Sequence, residues 1–278
     1  MKDAFNFVIT NRIPRRLATL FMGWFSRIEQ PGLCRLSLAV WQRFGGSLNL
    51  HESKQSRFVS VHDCFVRQLK DGARPIDVRP GVLVSPCDAI VGACGRIDGS
   101  ELIQAKGHTY SLDELLVDPD LATRHRDGMY VTLRLTSTMY HRFHAPADCD
   151  ITEVIYVSGD TWNVNPPALR RVPRVFCTNE RAILSTRLRA SGEPLTLVPV
   201  AAILVASMHL HCLDVLLNLK YRGPNRIACE ARFGKGEEIG YFHHGSTIIL
   251  LAPRDAVLCA GVEQGRTIRM GEPLLHRS

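Results

Sequence analysis

A chain of 278 residues, 45% hydrophobic and 22% charged, is long enough to bury a full core, and its composition excludes a disordered or fibrous chain. Its net charge of +7 is lopsided: residues 1–60 hold nine Lys/Arg against three acids, a local excess that suits either nucleic acid or an anionic membrane surface. Nine cysteines, odd in number and without a CxxC pair, exclude a disulfide framework and indicate buried thiols in a reducing compartment.

Pro14 suits a first helical turn. Leu17, Leu20, Phe21, Trp24, Phe25 and Ile28 then fall on one apolar helical face, with Arg15, Arg16 and Arg27 outside it. Pro31-Gly32 breaks the pattern, and a second helix is expected to carry Leu33, Leu36, Val40, Trp41 and Phe44 and to end at Gly45-Gly46. Aromatic-rich amphipathic helices flanked by arginines suit a membrane interface. Packing on the rest of the protein, or on a second copy, explains the same pattern.

From about residue 60 the texture changes to short alternating runs separated by Gly, Pro, Asn and Asp. Met129, Val131, Leu133 and Leu135 alternate with Tyr130, Thr132, Arg134 and Thr136, and Ala182, Leu184, Thr186 and Leu188 repeat the pattern; both predict half-buried strands. Ser111 and Glu114 have capping-box spacing for a helix over 111–116. Lys106-Gly107-His108 reads as a loop, and Asn163-Val164-Asn165-Pro166-Pro167 as a turn. The apolar stretch 198–217 is interrupted by Pro199, His209, His211 and Asp214, so it predicts buried strands or a buried helix. No apolar run of roughly 18 residues predicts a spanning helix, and no secretory leader is expected. The fold class expected is α+β: a mainly antiparallel β catalytic body with an N-terminal amphipathic helical membrane-binding element.

Tyr140-His141-Arg142-Phe143-His144-Ala145-Pro146 follows the first alternating strand. Two histidines at that spacing suit acid/base work, metal ligation or simple hydrogen bonding at a strand end. No His-Glu-x-x-His pattern and no nearby acid or cysteine at ligand spacing supports a metal, so none is expected. Val84-Ser85-Pro86-Cys87-Asp88 ends an apolar run in a turn. Near the C-terminus, Gly245-Ser246-Thr247 puts a small, bendable residue directly before a hydroxyl, and Ile248-Ile249-Leu250-Leu251 follows. Asp88, His144 and Ser246 would form an acid–imidazole–hydroxyl set if they met in space. Spacing alone does not show that they meet.

Seven segments in order resemble the phosphatidylserine decarboxylase proenzyme family over most of residues 60–275. They are Arg74-Pro75-Ile76-Asp77, the Asp88 turn, Gln104–His108 with Tyr110-Ser111-Leu112, Tyr140–Pro146, Val164-Asn165-Pro166, Asn179-Glu180-Arg181, and Lys235–Thr247. The resemblance implies a membrane-associating region over 1–58 and a decarboxylase domain over 59–278, which cleaves itself at Gly245–Ser246 into chains 1–245 and 246–278. In that reading His144 is the base, Asp88 orients it, and Ser246 becomes a pyruvoyl cofactor. The pyruvoyl ketone then condenses with the amine of phosphatidylserine as a Schiff base, CO2 leaves, and phosphatidylethanolamine forms. His144 is the first choice for the acid that returns the proton; His141 is the second and steers the carboxylate, with Tyr140 beside it in the substrate site. The implied partners are phosphatidylserine and an anionic membrane surface, with no nucleic acid. The two self-cleaved chains form a heterodimer, the exposed apolar face allows further dimerisation, and the expected location is peripheral, at the cytoplasmic face of a bacterial inner membrane.

Three positions depart from the family pattern: Ala89 stands where glycine commonly follows the aspartate, Met139 where some members have an acid, and His244 where leucine or glycine is frequent. Rival readings are a pyruvoyl decarboxylase of a soluble amino acid, an uncleaved lipid-binding module, and a serine hydrolase. The hydrolase lacks the strand–Gly-x-Ser-x-Gly–helix elbow, and the segment after Ser246 reads as a strand.

Overall fold

The computed structural model describes residues 14–105, 108–203, 207–213, 215–243 and 246–277, without the side chains of Arg16 and Ser246. Its centre is an eight-stranded antiparallel sheet. The spatial order is Arg226–Phe233, Cys149–Val157, Arg181–Leu188, Pro194–Ala201, Ser246–Ala252, Met129–Arg134, Ala89–Arg96 and Thr267–Ile268. The strand Ser246–Ala252 is central because Ile248, Ile249, Leu250 and Leu251 are all apolar and all buried, so both of its faces need cover.

Half-burial was expected for Met129–Arg134 and for the strand through Ala182 and Leu188. Both are buried on nearly every residue instead. The alternation is real, but polar positions are covered too: Tyr130 Oη accepts from Ile103 N–H of the hairpin strand Glu101–Ala105 at 3.3 Å, and Arg181 donates to Leu115 O and to Glu114 O, each at 2.8 Å. True alternation appears on the edge strand Arg226–Phe233. The stretch 198–217 resolves into strands: the end of Pro194–Ala201, then Ser207–Leu210, then Leu216–Asn218.

Two smaller sheets flank the large one. One orders Leu216–Asn218, Ser207–Leu210, Glu238–Phe242 and Arg142–His144; the other orders Val82–Val84, Pro273–Arg277 and Ala256–Leu258. Ser111 caps the short helix Leu112–Leu116 with both halves of the capping box formed. His108 opens a hairpin strand, and Asn165 caps the short helix Pro166–Leu169. All nine cysteines are free.

Three helices matter for the site: α1 (Arg15–Phe25), α2 (Pro31–Gly45) and α3 (Val61–Phe65). Pro31 starts α2 at a position where its missing N–H costs nothing, and Gln30 Oε1 accepts from Leu33 N–H. Gly46 ends α2 at φ +97°. Arg15 ties α1 to the body, 2.6 Å from Asp160 and stacked on Trp162. Thr19 of α1 and Ser26 at its C-cap are buried and Met22 and Phe25 are half-buried, whereas Phe21 and Trp24 are 60% and 64% exposed. Leu36, Val40 and Phe44 of α2 are exposed as well. Among the described residues, no helix is long and apolar enough to cross a membrane.

Candidate active site

The Asp88 turn and the His144 strand are stitched together by backbone. His144 N–H donates to Pro86 O at 2.8 Å, and Val84 N–H to Pro146 O at 2.9 Å. Ser85 Oγ donates to Cys87 O and closes the turn. On the other side, Glu238 pairs with His144 across the ladder, and Gly236 and Ala145 are bonded at 2.8 Å. Gly236 has φ +83°, and a Cβ there would sit 2.9 Å from Ile76. A side chain would therefore be strained and crowded, which leaves glycine to present its carbonyl inward.

That carbonyl is what orients His144. Nδ1 lies 2.9 Å from Gly236 O, and Nε2 lies 3.1 Å from Tyr140 Oη. A carbonyl only accepts, so the proton sits on Nδ1; Nε2 carries the lone pair and accepts from the tyrosine hydroxyl. Burial pushes the imidazole's pKa down and outweighs the upward pull of Gly236 O, Glu238 and Asp88. His144 is thus a neutral base with a defined basic nitrogen.

Asp88 sits elsewhere than the expected hydrogen bond to His144 requires. Its carboxylate accepts from Arg74 Nε at 2.9 Å and Nη2 at 2.6 Å, and from Met270 N–H at 2.9 Å. It acts on His144 through space, as a nearby negative charge. Arg74 also reaches Glu52 at 2.8 Å, and Arg269 lies 3.6 Å from Glu52. Burial pushes the Glu52 carboxyl up, but the two arginines pull it below its ordinary value.

His141 is fully buried, with Nδ1 2.8 Å from Met139 O and its ring 4.0 Å from that of Phe65. Tyr140 is buried, and desolvation raises its phenol pKa. Ser246 begins the central strand, paired with Ala201; Gly245 and His244 lie outside the described residues. Asp88, Tyr140 and His144 are therefore brought to one place, and the backbone of Ser246 starts the strand after 244–245. His209 packs 5.0 Å from the Tyr241 ring, and His211 bonds Glu238 at 2.6 Å. Among the described residues no His/Cys/Asp/Glu cluster could hold a metal.

Three groups were not singled out from sequence. Arg74 lay inside a quoted segment without a role, Glu52 carried no motif, and the Gly236 carbonyl is backbone. Next to the site lies a cavity of about 730 Å³ lined by Met22, Phe25, Val40, Trp41, Phe65 and Arg134, among others. Its walls come from α1, α2, α3 and the ends of two central strands, so α1 and α2 are apolar towards the cavity and towards solvent alike.

Residues 61–276 match the family model described as phosphatidylserine decarboxylase. The chain is 35% identical over 276 residues to a phosphatidylserine decarboxylase proenzyme of Vibrio campbellii, covering 95% of this chain and 96% of that one. It is 35% identical over 277 residues to the proenzyme of Vibrio cholerae, covering 96% of each chain. With the proenzyme of Haemophilus influenzae it shares 31% identity over 285 residues, covering 100% of this chain and 96% of that one.

Proposed function

From the premise that this chain belongs to the phosphatidylserine decarboxylase family, an enzyme family of decarboxylases, we propose that it cleaves itself at Gly245–Ser246 and decarboxylates phosphatidylserine at a membrane surface. The observation that carries the proposal is the change of sheet at the cleavage site. Glu238–Phe242 belongs to the four-stranded sheet with Arg142–His144, whereas Ser246–Ala252 belongs to the eight-stranded one. Among the described residues no strand runs through the bond between 245 and 246. Residues 246–277 stay woven in through Ser246–Ala252, Thr267–Ile268 and Pro273–Arg277, which supports a heterodimer of the two products.

In this reading His144 Nε2 takes the Ser246 hydroxyl proton, and Oγ attacks the Gly245 carbonyl carbon. The peptide C–N bond breaks as the ester forms. Removal of the Ser246 α-proton then expels the Gly245 carboxylate, and hydrolysis of the remaining dehydroalanine releases ammonia. Asp88, held by Arg74, steadies the proton that His144 gains. The pyruvoyl group left at 246 supplies an electrophilic carbonyl that accepts the electron pair released as CO2 departs. The pairing of Ser246 with Ala201 would hold that group at the start of the central strand. His144 Nε2 holds a proton for the substrate carbon that has lost CO2. Tyr140 steadies Nε2 between turnovers, and His141, buried under Phe65, positions the strand that carries His144.

The exposed apolar residues of α1 and α2 would lie in the interfacial layer of an anionic bilayer, with Arg27, Arg35 and Arg43 near the headgroups. A lipid tail would enter the cavity between these helices. Such a cavity argues against a soluble amino acid as substrate. The test is CO2 release from phosphatidylserine vesicles and from free serine. Release from the lipid alone supports the proposal; release from serine alone refutes it.

A further inference from the structure

Arg134 ends the strand Met129–Arg134, and its Cα is in register with Thr247, the residue after Ser246. Cross-strand partners lie about 4.5–5.5 Å apart, and consecutive Cα atoms about 3.8 Å. The guanidinium is therefore rooted within a side chain's reach of the reacting position. It lines both the 730 Å³ cavity and a second cavity of about 390 Å³. No acid lines either cavity among the described residues, and Arg170 is the other cation, in the smaller one. Among the described residues the Arg134 side chain makes no hydrogen bond or ion pair. Burial lowers its pKa with no charge acting against it. Thr247 Oγ1, buried in the smaller cavity, likewise has no partner among the described residues.

A half-buried arginine without a counter-ion carries a desolvation cost that an incoming anion would offset. We infer that Arg134, with Thr247 Oγ1 beside it, binds the phosphodiester of the lipid substrate, an inference that rests on the proposed function. The substrate offers two anions, and chemistry separates them. A guanidinium clamped on the carboxylate would stabilise the ground state against its conversion to neutral CO2 and would slow the reaction. The phosphodiester keeps its charge throughout, so binding it costs nothing in the transition state. Only the serine Cβ and Oγ separate it from the reacting carbon, which matches the closeness of Arg134 to position 246.

The test begins in the Ser246→Ala background, which cannot form the cofactor, with titration calorimetry on dihexanoylphosphatidylserine, on O-hexylserine and on inorganic phosphate. Arg134→Gln is expected to weaken the short-chain lipid about tenfold to a hundredfold and to leave the phosphate-free amphiphile within about twofold. Arg134→Lys recovers part of the loss, because the charge remains while the two-pronged geometry goes. In the processed enzyme, Arg134→Gln raises KM and leaves kcat near wild type, with self-cleavage at the normal rate as the check on folding. A kcat loss at unchanged KM, or an equal loss for O-hexylserine, overturns the inference. Inorganic phosphate that binds the unsubstituted Arg134 protein as tightly as the lipid does would assign a free-phosphate site and overturn it too. Should Arg134→Gln fail to fold, failure of inorganic phosphate to weaken lipid binding in the Arg134 protein, together with Arg134→Lys behaving as wild type, would refute it. Arg134-dependent lipid binding by a protein that releases no CO2 would sink the proposed decarboxylation and leave this inference standing.

Discussion

Replacing Arg74 by methionine probes the support under Asp88. Arg74 is 5% exposed at its side chain, against 10% for Asp88 and 14% for Glu52, and holds them at 2.6 and 2.8 Å. Arg74→Met leaves two carboxylates close together in a buried place, with Arg269 at 3.6 Å from Glu52 and the buried Arg67 nearby as cations that remain. Breaking a buried pair from one side costs about 3–5 kcal/mol. With urea m-values of about 1–3 kcal/mol/M, and a chain this long near the upper end, the midpoint should fall by at least about 1 M. The assay is urea unfolding in the Ser246→Ala background, where a single polypeptide unfolds. Arg74→Met with Asp88→Asn should lose less than the two single losses added, because one of the two carboxylates is gone. The acid side gives a second reading. Glu52 is held below its ordinary pKa, so its contribution is full above the normal carboxylate range of about 4.3 and fades as pH falls through the lower folded value. Arg74→Met should flatten that acid-side loss. A midpoint unchanged by Arg74→Met, or losses that simply add, would refute the reasoning.

Tyr140→Phe removes the hydroxyl that occupies His144 Nε2 at 3.1 Å, so self-cleavage should continue at an altered rate, whereas His144→Ala should stop it; a gel time course distinguishes them. Because burial holds the His144 pKa below its ordinary value of about 6.5, the cleavage rate should stay level as pH falls from 8 to about 6.5 and decline only below that. A decline beginning above pH 7 would contradict a neutral buried imidazole. Phe21→Ser with Trp24→Ser should reduce flotation with anionic vesicles and leave the melting temperature nearly unchanged, since both side chains already face solvent. A large drop in melting temperature would show that this face is packed.

Much of the fold was legible wherever local chemistry decides it. Gly46 stops α2, Ser111 and Glu114 cap their helix, and the apolar run after Ser246 is a buried central strand. Half-burial of Met129–Arg134 is not met because alternation reports side-chain direction, while cover on the second face comes from distant chain, as where the hairpin strand Glu101–Ala105 meets Tyr130. The candidate site was legible as residue types, with Asp88, Tyr140 and His144 brought to one place. Its wiring was not, because the partners that decide it are long-range. Arg74 takes the carboxylate of Asp88, and the backbone of Gly236 takes the imidazole proton of His144. A carbonyl has no sequence signature, although the glycine that allows it does. Arg134 read as one polar position in a strand, and only the register with Thr247 places it beside position 246.

The central claim, self-processing at one bond, is tested most directly by the intact mass of freshly purified protein under denaturing conditions. The account predicts two species, residues 1–245 and residues 246–278, the second carrying a pyruvoyl in place of its serine, and one full-length mass for Ser246→Ala. A single full-length mass for the unaltered chain, persisting on prolonged incubation at neutral pH, would contradict it.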